Sequence, residues 1–375
     1  MKINCKREDF LESIQVVQNA LTSTALPVLS YVLLEARPEK ITLTATNLET
    51  TIRSSFPAQV EGEGEICLPG DKLFYILREL PSAPVVLEIE ESKATIRCKK
   101  AIFQLLGFSP EDFPEVPQIM VEKFFSLSQE ELRQMIQRTV FAASRDETHQ
   151  NLNGAYLEVE EKDARLVATD GRRLSFVHIP LASSSLLSGE AIVPLRALQQ
   201  LMRVLSGEKE VKVGVSERQI FFEMDHILLV SQLVDAKFPD YRKVIPTEFS
   251  IAILADRDDL LRCVRRVSLL TDEKSRLLKF QLKENTLLIS TEASELGYAY
   301  EEIDVRRERG EEIEIGFSST YLLDILKNIE KGEVRIELTD SEGPGVIRPS
   351  ENKDHICVLM PVRLRGMEEE EEEVE

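Results

Sequence analysis

The run most like a catalytic corner is Thr169-Asp170-Gly171-Arg172, where a carboxylate sits between a hydroxyl and a guanidinium at the end of a β-rich stretch. Asp170 could act as a catalytic carboxylate, yet an Asp-Gly pair closing a β run is first of all tight-turn chemistry. Gly62-Glu63-Gly64 and Pro69-Gly70-Asp71-Lys72 only glance at a phosphate loop. Their glycine spacing is wrong, no Gly-Lys-Ser/Thr is present, and acidic neighbours would repel phosphate. His149, His178, His226 and His355 show no metal-ligand spacing, and no Gly-x-Ser-x-Gly elbow exists. Cys5, Cys67, Cys98, Cys263 and Cys357 are scattered without a Cys-x-x-Cys pair, which suits buried free thiols. No catalytic residue, metal or cofactor is therefore assigned.

The chemistry that recurs is cationic. Arg196 and Arg203 are seven apart, so they share a helix face, and each lies two residues from a leucine of the apolar stripe, about 200° around the axis. Both should point away from the core. Arg262 and Arg266, four apart, repeat the pattern, and Arg133, Arg138, Lys72 and Arg78 extend it. A single outward cation is ordinarily just solvated. Recurrence in equivalent places favours a function.

The elements that carry these residues recur as well, at a period of roughly 125 residues, the size of a whole domain. A short strand feeds a helix at Cys67-Leu68-Pro69 and Asp71–Arg78, again at Ile192-Val193-Pro194 and Arg196–Met202, and again at Ile315-Gly316-Phe317 and Thr320–Leu326. Polar corners recur at Thr46-Asn47-Leu48-Glu49, Thr169-Asp170-Gly171-Arg172 and Thr291-Glu292-Ala293. Proline punctuation closes the copies at Asp112–Pro117, at Phe238–Pro246 and at Met360–Leu364, where helix and central strand are both disfavoured. Helical stripes predict the buried faces: Phe10, Ile14, Val17 and Leu21; Leu198, Leu201, Met202 and Leu205; Leu260, Val264 and Val267. Three domains are expected, 1–120, 121–246 and 247–364, with 365–375 as an acidic disordered tail.

The 375 residues carry a net charge of -20, of which the seven glutamates after Met367 explain only a part. A surface so acidic should repel nucleic acid, so any DNA contact must be confined to one sheltered basic face. With 43% hydrophobic residues and no apolar run long enough to span a bilayer, the chain reads as a cytoplasmic globular protein without a signal peptide.

Val167-Ala168-Thr169-Asp170-Gly171-Arg172-Arg173-Leu174, Leu152-Asn153-Gly154, Phe238–Arg242 with Val244-Ile245-Pro246, and Met360-Pro361-Val362-Arg363-Leu364 closely resemble the bacterial DNA polymerase III beta subunit family, the replication sliding clamps. The likeness runs in order from Met1 to Leu364. It implies an α+β fold of three similar domains, each with two inner helices and outer antiparallel sheets. Two chains would close head to tail as a ring around double-stranded DNA, a non-catalytic processivity factor with sequence-independent contacts. The eight cations named above would then face DNA. Such a face needs only mild attraction to phosphate, because a ring holds DNA by topology.

The resemblance also implies a pocket where the DNA polymerase III core, the clamp loader and other polymerases or repair proteins dock a short peptide with a glutamine and apolar anchors. Carried onto this chain, its walls are Leu152, Thr169, Gly171, Arg173 and Leu174, then Pro239, Val244 and Tyr321, then Val346, Met360, Pro361, Val362 and Arg363. Apolar side chains with a few polar groups are what a peptide groove requires. Arg172 stands where the family often has histidine and Lys243 where it has arginine, while Ser318 and Glu342 replace residues commonly amide and apolar. Ser23, Asp146, Gln150 and Asn151 occupy places where the family offers an arginine and tyrosines to DNA; Arg145 is a nearby substitute. Ring closure would use Phe103 and Leu105 with Lys100 on one side, and Leu269 and Leu270 with Glu301 and Glu302 on the other. The tail would add solubility or compete with acidic partners. A three-domain synthase or transferase is disfavoured by a repeat with no singular site, and a scaffold without DNA would lack ring closure.

Overall fold

A computed structural model describes residues 1–22, 26–115, 124–146, 148–181, 188–207, 209–292 and 297–364. Ser23, Val116-Pro117, Ala293, the expected boundary at 120/121 and the acidic tail lie outside the described residues. Six α-helices are present: α1 Arg7–Val17, α2 Gly70–Glu79, α3 Gln129–Thr139, α4 Leu195–Val204, α5 Arg257–Val267 and α6 Ser319–Asn328.

The helix starts follow local chemistry. Ser128 and Glu131 form a reciprocal box at α3: the Ser128 hydroxyl accepts from Glu131 N at 3.1 Å, and the Glu131 carboxylate accepts from Ser128 N at 2.8 Å. Asp256 caps α5 by accepting from Asp259 N at 2.9 Å, with Asp258 and Asp259 in the first turn and Arg265 and Arg266 in the last, as the helix dipole favours. The predicted stripes are core, with Phe10, Ile14, Val17, Leu198, Leu201, Leu205, Leu260, Val264 and Val267 all buried. Leu21 and Met202 are only half-buried.

A second pattern joins each copy's helices. Arg7 at the head of α1 donates to the carbonyls of Leu77 and Arg78 near the end of α2, at 2.8 and 2.6 Å. Arg257 at the head of α5 donates to Ile329 O after α6 at 3.0 Å, and Arg133 in α3 donates to Leu205 O after α4 at 2.7 Å. The last carbonyls of a helix have no partner within it, and a cation there also meets the negative end of the dipole.

Met1–Arg133, Val159–Lys162 and Leu181–Asp235 form one compact unit, and Gln134–Glu158, Asp163–Pro180 and the chain from Ala236 on form the other. Packing therefore shares the middle repeat. In the first unit an antiparallel sheet runs Phe124–Ser128, Glu210–Val215, Gln219–Met224, Ile227–Gln232, Thr50–Pro57, Lys40–Thr46, Tyr31–Arg37, Gly64–Pro69. Strands of two repeats meet in it, with Ser231 opposite Thr50. A five-stranded sheet, Gln59–Glu61, Lys2–Cys5, Val85–Glu90, Lys93–Cys98, Ala101–Leu106, accompanies it.

The second unit repeats the design. Asp163–Thr169, Arg173–Pro180, His355–Leu359, Gly345–Pro349, Glu333–Leu338, Ile251–Asp256 and Arg306–Arg309 are successive neighbours, and two repeats meet where Arg173 pairs with Leu359. Its smaller sheet is Tyr300–Asp304, Thr286–Ser290, Leu277–Lys283, Ile313–Ser318. All five cysteines are buried and free. Burial pushes the thiols of Cys5, Cys67, Cys263 and Cys357 up to about 12, which keeps them protonated and unreactive.

Candidate functional site

The Thr169–Arg173 corner is a turn held by its own side chains. Asp170 Oδ1 accepts from Arg172 N at 2.9 Å and from Arg173 N at 3.0 Å, while Thr169 Oγ1 accepts from Gly171 N at 3.1 Å and donates to Arg173 O at 2.6 Å. Gly171 has a φ of 87°, which glycine adopts without strain. Asp170 is thus a turn former, as its Asp-Gly setting suggests.

The corner aims Arg173 inward, where its side chain is only 9% exposed. Its Nε lies 3.1 Å from Asp170 Oδ2 and a terminal nitrogen 2.7 Å from Asp324 Oδ2 on α6. The guanidinium carbon sits 4.5 Å from the Tyr321 ring centroid and 5.6 Å from that of Phe141. Tyr321 and Asp324, three apart on one face of α6, grip the same cation. Asp324 and Phe141 escaped the sequence reading; the polar i,i+3 partner beside Tyr321 is the one signal that points to Asp324.

The C-terminal wall is fastened at both ends. Met360 N donates to Arg172 O at 2.9 Å and Val362 N to Gly316 O at 2.8 Å. A Cβ on Gly316 would lie 2.3 Å from Val362 O, so the wall lies directly on this glycine. Met360 is exposed, Pro361 and Val362 are half-buried, and Arg363 is exposed. Beneath them Leu174 and Val346 are buried, each paired with Val358, and Thr169 and Ser318 are buried as well.

The third wall is the segment bearing Pro239, Lys243 and Val244, all exposed. Glu158, missed in the sequence, anchors it: Tyr241 OH donates to Glu158 Oε2 at 2.8 Å, and Arg242 pairs with the same carboxylate. Partial burial raises the Glu158 pKa, but the bonds from Arg242 and Tyr241 outweigh it and the net shift is downward. Tyr241 also packs against Phe176, on the strand that carries Leu174. Leu152 is half-buried, its carbonyl accepting from Ser144 N. Corner, wall and α6 thus share direct bonds, whereas Leu152 and Lys243 bond elsewhere, Lys243 to Asp240.

His178 lies farther along the Leu174 strand, its Nδ1 3.0 Å from Asp354 Oδ1 and its Nε2 2.7 Å from Asp163 Oδ1. Carboxylates only accept, so both nitrogens donate and the ring is imidazolium. Partial burial lowers the His178 pKa, but the two carboxylates outweigh it and hold it above the usual 6.5. The bond to His178 holds Asp163 below its usual 3.8, with Arg165 also 3.9 Å away. The histidine's contribution is complete below the unfolded value and lost as pH rises through the folded one; that of Asp163 is lost as pH falls through its lowered value. Unfolding midpoints of the parent and His178→Gln should therefore differ most between about pH 4 and 6.5 and converge at higher pH. A gap independent of pH contradicts the clamp.

The basic helix faces divide by availability. Lys72, Arg78, Arg196, Arg203, Arg262 and Arg266 are exposed. Arg196 and Arg203 form no ion pair among the described residues, whereas Arg262 pairs with Asp259 and Arg266 with Glu301. Arg78 pairs with Glu79 and lies over the rings of Phe74 and Tyr75. Arg133 is occupied by the Leu205 carbonyl, and Arg138 is largely covered, bonded to Glu330 and Gln134.

Two sheets end in strands with bare apolar groups. Ala101–Leu106 exposes Ile102, Phe103 and Leu106, with Leu105 half-buried and Lys100 exposed at the turn before it. Tyr300–Asp304 exposes Tyr300 and Glu302, its Glu301 is tied to Arg266, and Leu269 is 78% exposed while Leu270 is half-buried.

Three family models together match nearly the whole chain: DNA polymerase III beta subunit, N-terminal domain, at residues 1–117; central domain at 126–240; C-terminal domain at 242–363. The beta sliding clamp of Pseudomonas aeruginosa is 33% identical over 368 residues, covering 97% of this chain and 100% of that protein. That of Chlamydia pneumoniae is also 33% identical over 368 residues, covering 97% and 99%. Among solved structures, the DNA polymerase III subunit beta from Pseudomonas aeruginosa superimposes with a TM-score of 0.94 at 33% identity, covering 97% of this chain and 100% of that one. The beta subunit from Thermotoga maritima gives 0.90 at 27% identity, covering 97% and 99%.

Proposed function

The chain belongs to the bacterial DNA polymerase III beta subunit family, has its three-domain α+β clamp fold, and is a non-catalytic DNA sliding clamp; from there we propose how its own residues serve that role. Two copies close head to tail around duplex DNA, with three domains per chain at 1–120, 121–246 and 247–364. The apolar end strands support this closure: Phe103, Leu105 and Lys100 of one copy meet Leu269, Leu270 and Glu302 of the other. An unpaired strand edge with exposed aromatics invites pairing, and a second copy satisfies it. The mass in solution should be twice 42.6 kDa. The protein works in the cytoplasm, on the nucleoid; no helix of the described residues is long and apolar enough to cross a membrane.

Arg196 and Arg203 are the principal phosphate contacts, supported by Lys72, Arg78, Arg262 and Arg266. The observation that carries this ranking is that Arg196 and Arg203 are exposed and carry no carboxylate partner among the described residues. Arg133 and Arg138 hold the fold instead. Arg196→Ala with Arg203→Ala should leave the unfolding midpoint unchanged, weaken retention on DNA, and lower the slope of log affinity against log salt by about 2, one per phosphate contact. Arg133→Ala should do the reverse, losing about 1–2 kcal/mol with its bond to Leu205 O while keeping the slope. The two variants behaving alike would sink the assignment.

Polymerase III core, clamp loader and repair proteins dock through a short peptide with a glutamine and apolar anchors. Its seat is Met360, Val244, Pro361 and Val362 over the Thr169–Leu174 corner, with Tyr321, Ser318, Val346, Leu152 and Pro239 beneath and around it. Arg172, Lys243 and Arg363 make the rim basic, which suits acidic flanks on the peptide.

A further inference from the structure

The polar corner of the first repeat has the same bonds as the corner of the peptide seat. Thr46 Oγ1 accepts from Leu48 N at 3.1 Å, as Thr169 Oγ1 does from Gly171 N at 3.1 Å. Asn47 Oδ1 accepts from Glu49 N and Thr50 N at 3.0 and 2.7 Å, as Asp170 Oδ1 does from Arg172 N and Arg173 N at 2.9 and 3.0 Å. Each threonine hydroxyl donates to the carbonyl four residues on, Thr50 O or Arg173 O. The following repeat docks its strand end on the same atom of each: Gln232 N donates to Glu49 O at 2.8 Å, and Met360 N to Arg172 O at 2.9 Å.

Within this shared frame one position differs in what it presents. Leu48 has a φ of 77° where Gly171 has 87°. A leucine in the left-handed region is strained, and glycine would be the unstrained choice. Leu48 shows that this backbone nonetheless accepts a large side chain, which stands 50% exposed. A Cβ built on Gly171 meets nothing within 4 Å. Neither the turn nor crowding by neighbours therefore demands glycine at 171.

We infer that the bare backbone at Gly171 is a specificity determinant: it leaves clear the space a docking peptide occupies, and Leu48 fills the equivalent space, so the first-repeat corner takes no peptide. This rests on the peptide-seat reading above. Other differences reinforce it. Thr50 replaces Arg173, and the Gln232 side chain reaches Leu48 O at 3.0 Å, tying the first corner shut where Met360 stands free.

The test is Gly171→Leu, assayed with a short fluorescent peptide bearing a glutamine and apolar anchors, and by native mass spectrometry at saturating peptide. The unaltered protein should take one peptide per chain. The variant should keep its unfolding midpoint within a few degrees and its dimer mass, yet bind at least tenfold more weakly and show no peptide at saturation. A variant that still takes a peptide with parental affinity overturns the inference, whichever corner holds it. A variant that unfolds also overturns it, because glycine would then be required by the backbone. If the unaltered protein takes no peptide, the seat itself is misassigned and the inference falls with it.

Discussion

Arg173→Ala should abolish peptide docking and destabilise the protein by about 3 kcal/mol, the range for removing one partner of a buried ion network, discounted because Asp324 keeps some solvent. The substitution leaves Asp170 and Asp324 facing a void without their cation, and it removes the stack on Tyr321 that sets the floor of the seat. Peptide affinity should fall by well over tenfold, since each 1.4 kcal/mol of lost seat geometry is a factor of ten. Arg173→Lys separates charge from shape. Lysine keeps the charge but cannot span two carboxylates with a planar fork, so it should recover stability only in part and docking hardly at all. Chemical unfolding together with peptide titration checks both, and parental docking by Arg173→Ala would show that the seat does not depend on this hub.

Gly316→Ala is expected to have the next largest effect, although it adds only a methyl group. The new Cβ would fall 2.3 Å from Val362 O and 2.9 Å from Cδ atoms of Leu277 and Leu364, with backbone on the closest side. Backbone cannot rotate out of the way as a side chain can, so the Pro361–Leu364 segment must lift and its bond from Val362 N to Gly316 O must lengthen. Overpacking of this kind costs about 1–3 kcal/mol. The same displacement moves Met360, Pro361 and Val362 out of register with the corner, so docking should weaken at least as much as stability. Hydrogen exchange localised to residues 360–364, with the rest of the protein protected as before, is the expected signature. Unchanged exchange there would mean that the wall rests on something other than this glycine.

The parts of the molecule legible in its sequence are those set by local periodicity and turn chemistry. The stripe Leu260, Val264, Val267 is buried because helix spacing alone decides which face meets the core. Thr169-Asp170-Gly171 forms the turn its composition dictates. Spacing places Arg133 and Arg138 on a helix face but is silent about partners, and theirs are remote: Leu205 O for one, Glu330 for the other. Asp324 and Glu158 escaped for the same reason, since the groups that make them matter, Arg173 and Arg242, arrive from other elements. Division of the chain into equal thirds follows the repeat. Packing instead joins strands of successive repeats, Thr50–Pro57 with Ile227–Gln232 and Arg173–Pro180 with His355–Leu359, and that pairing depends on contacts no local pattern encodes.

A ring that holds DNA by topology must lose it through a free end and keep it where no end exists. The protein should be loaded onto nicked circular plasmid, separated from free protein by gel filtration, and measured again after a single cut. The account predicts retention on the circle and release within the time of sliding once the plasmid is linear, with blocked ends restoring retention. Equal retention on circular and linear DNA would contradict it.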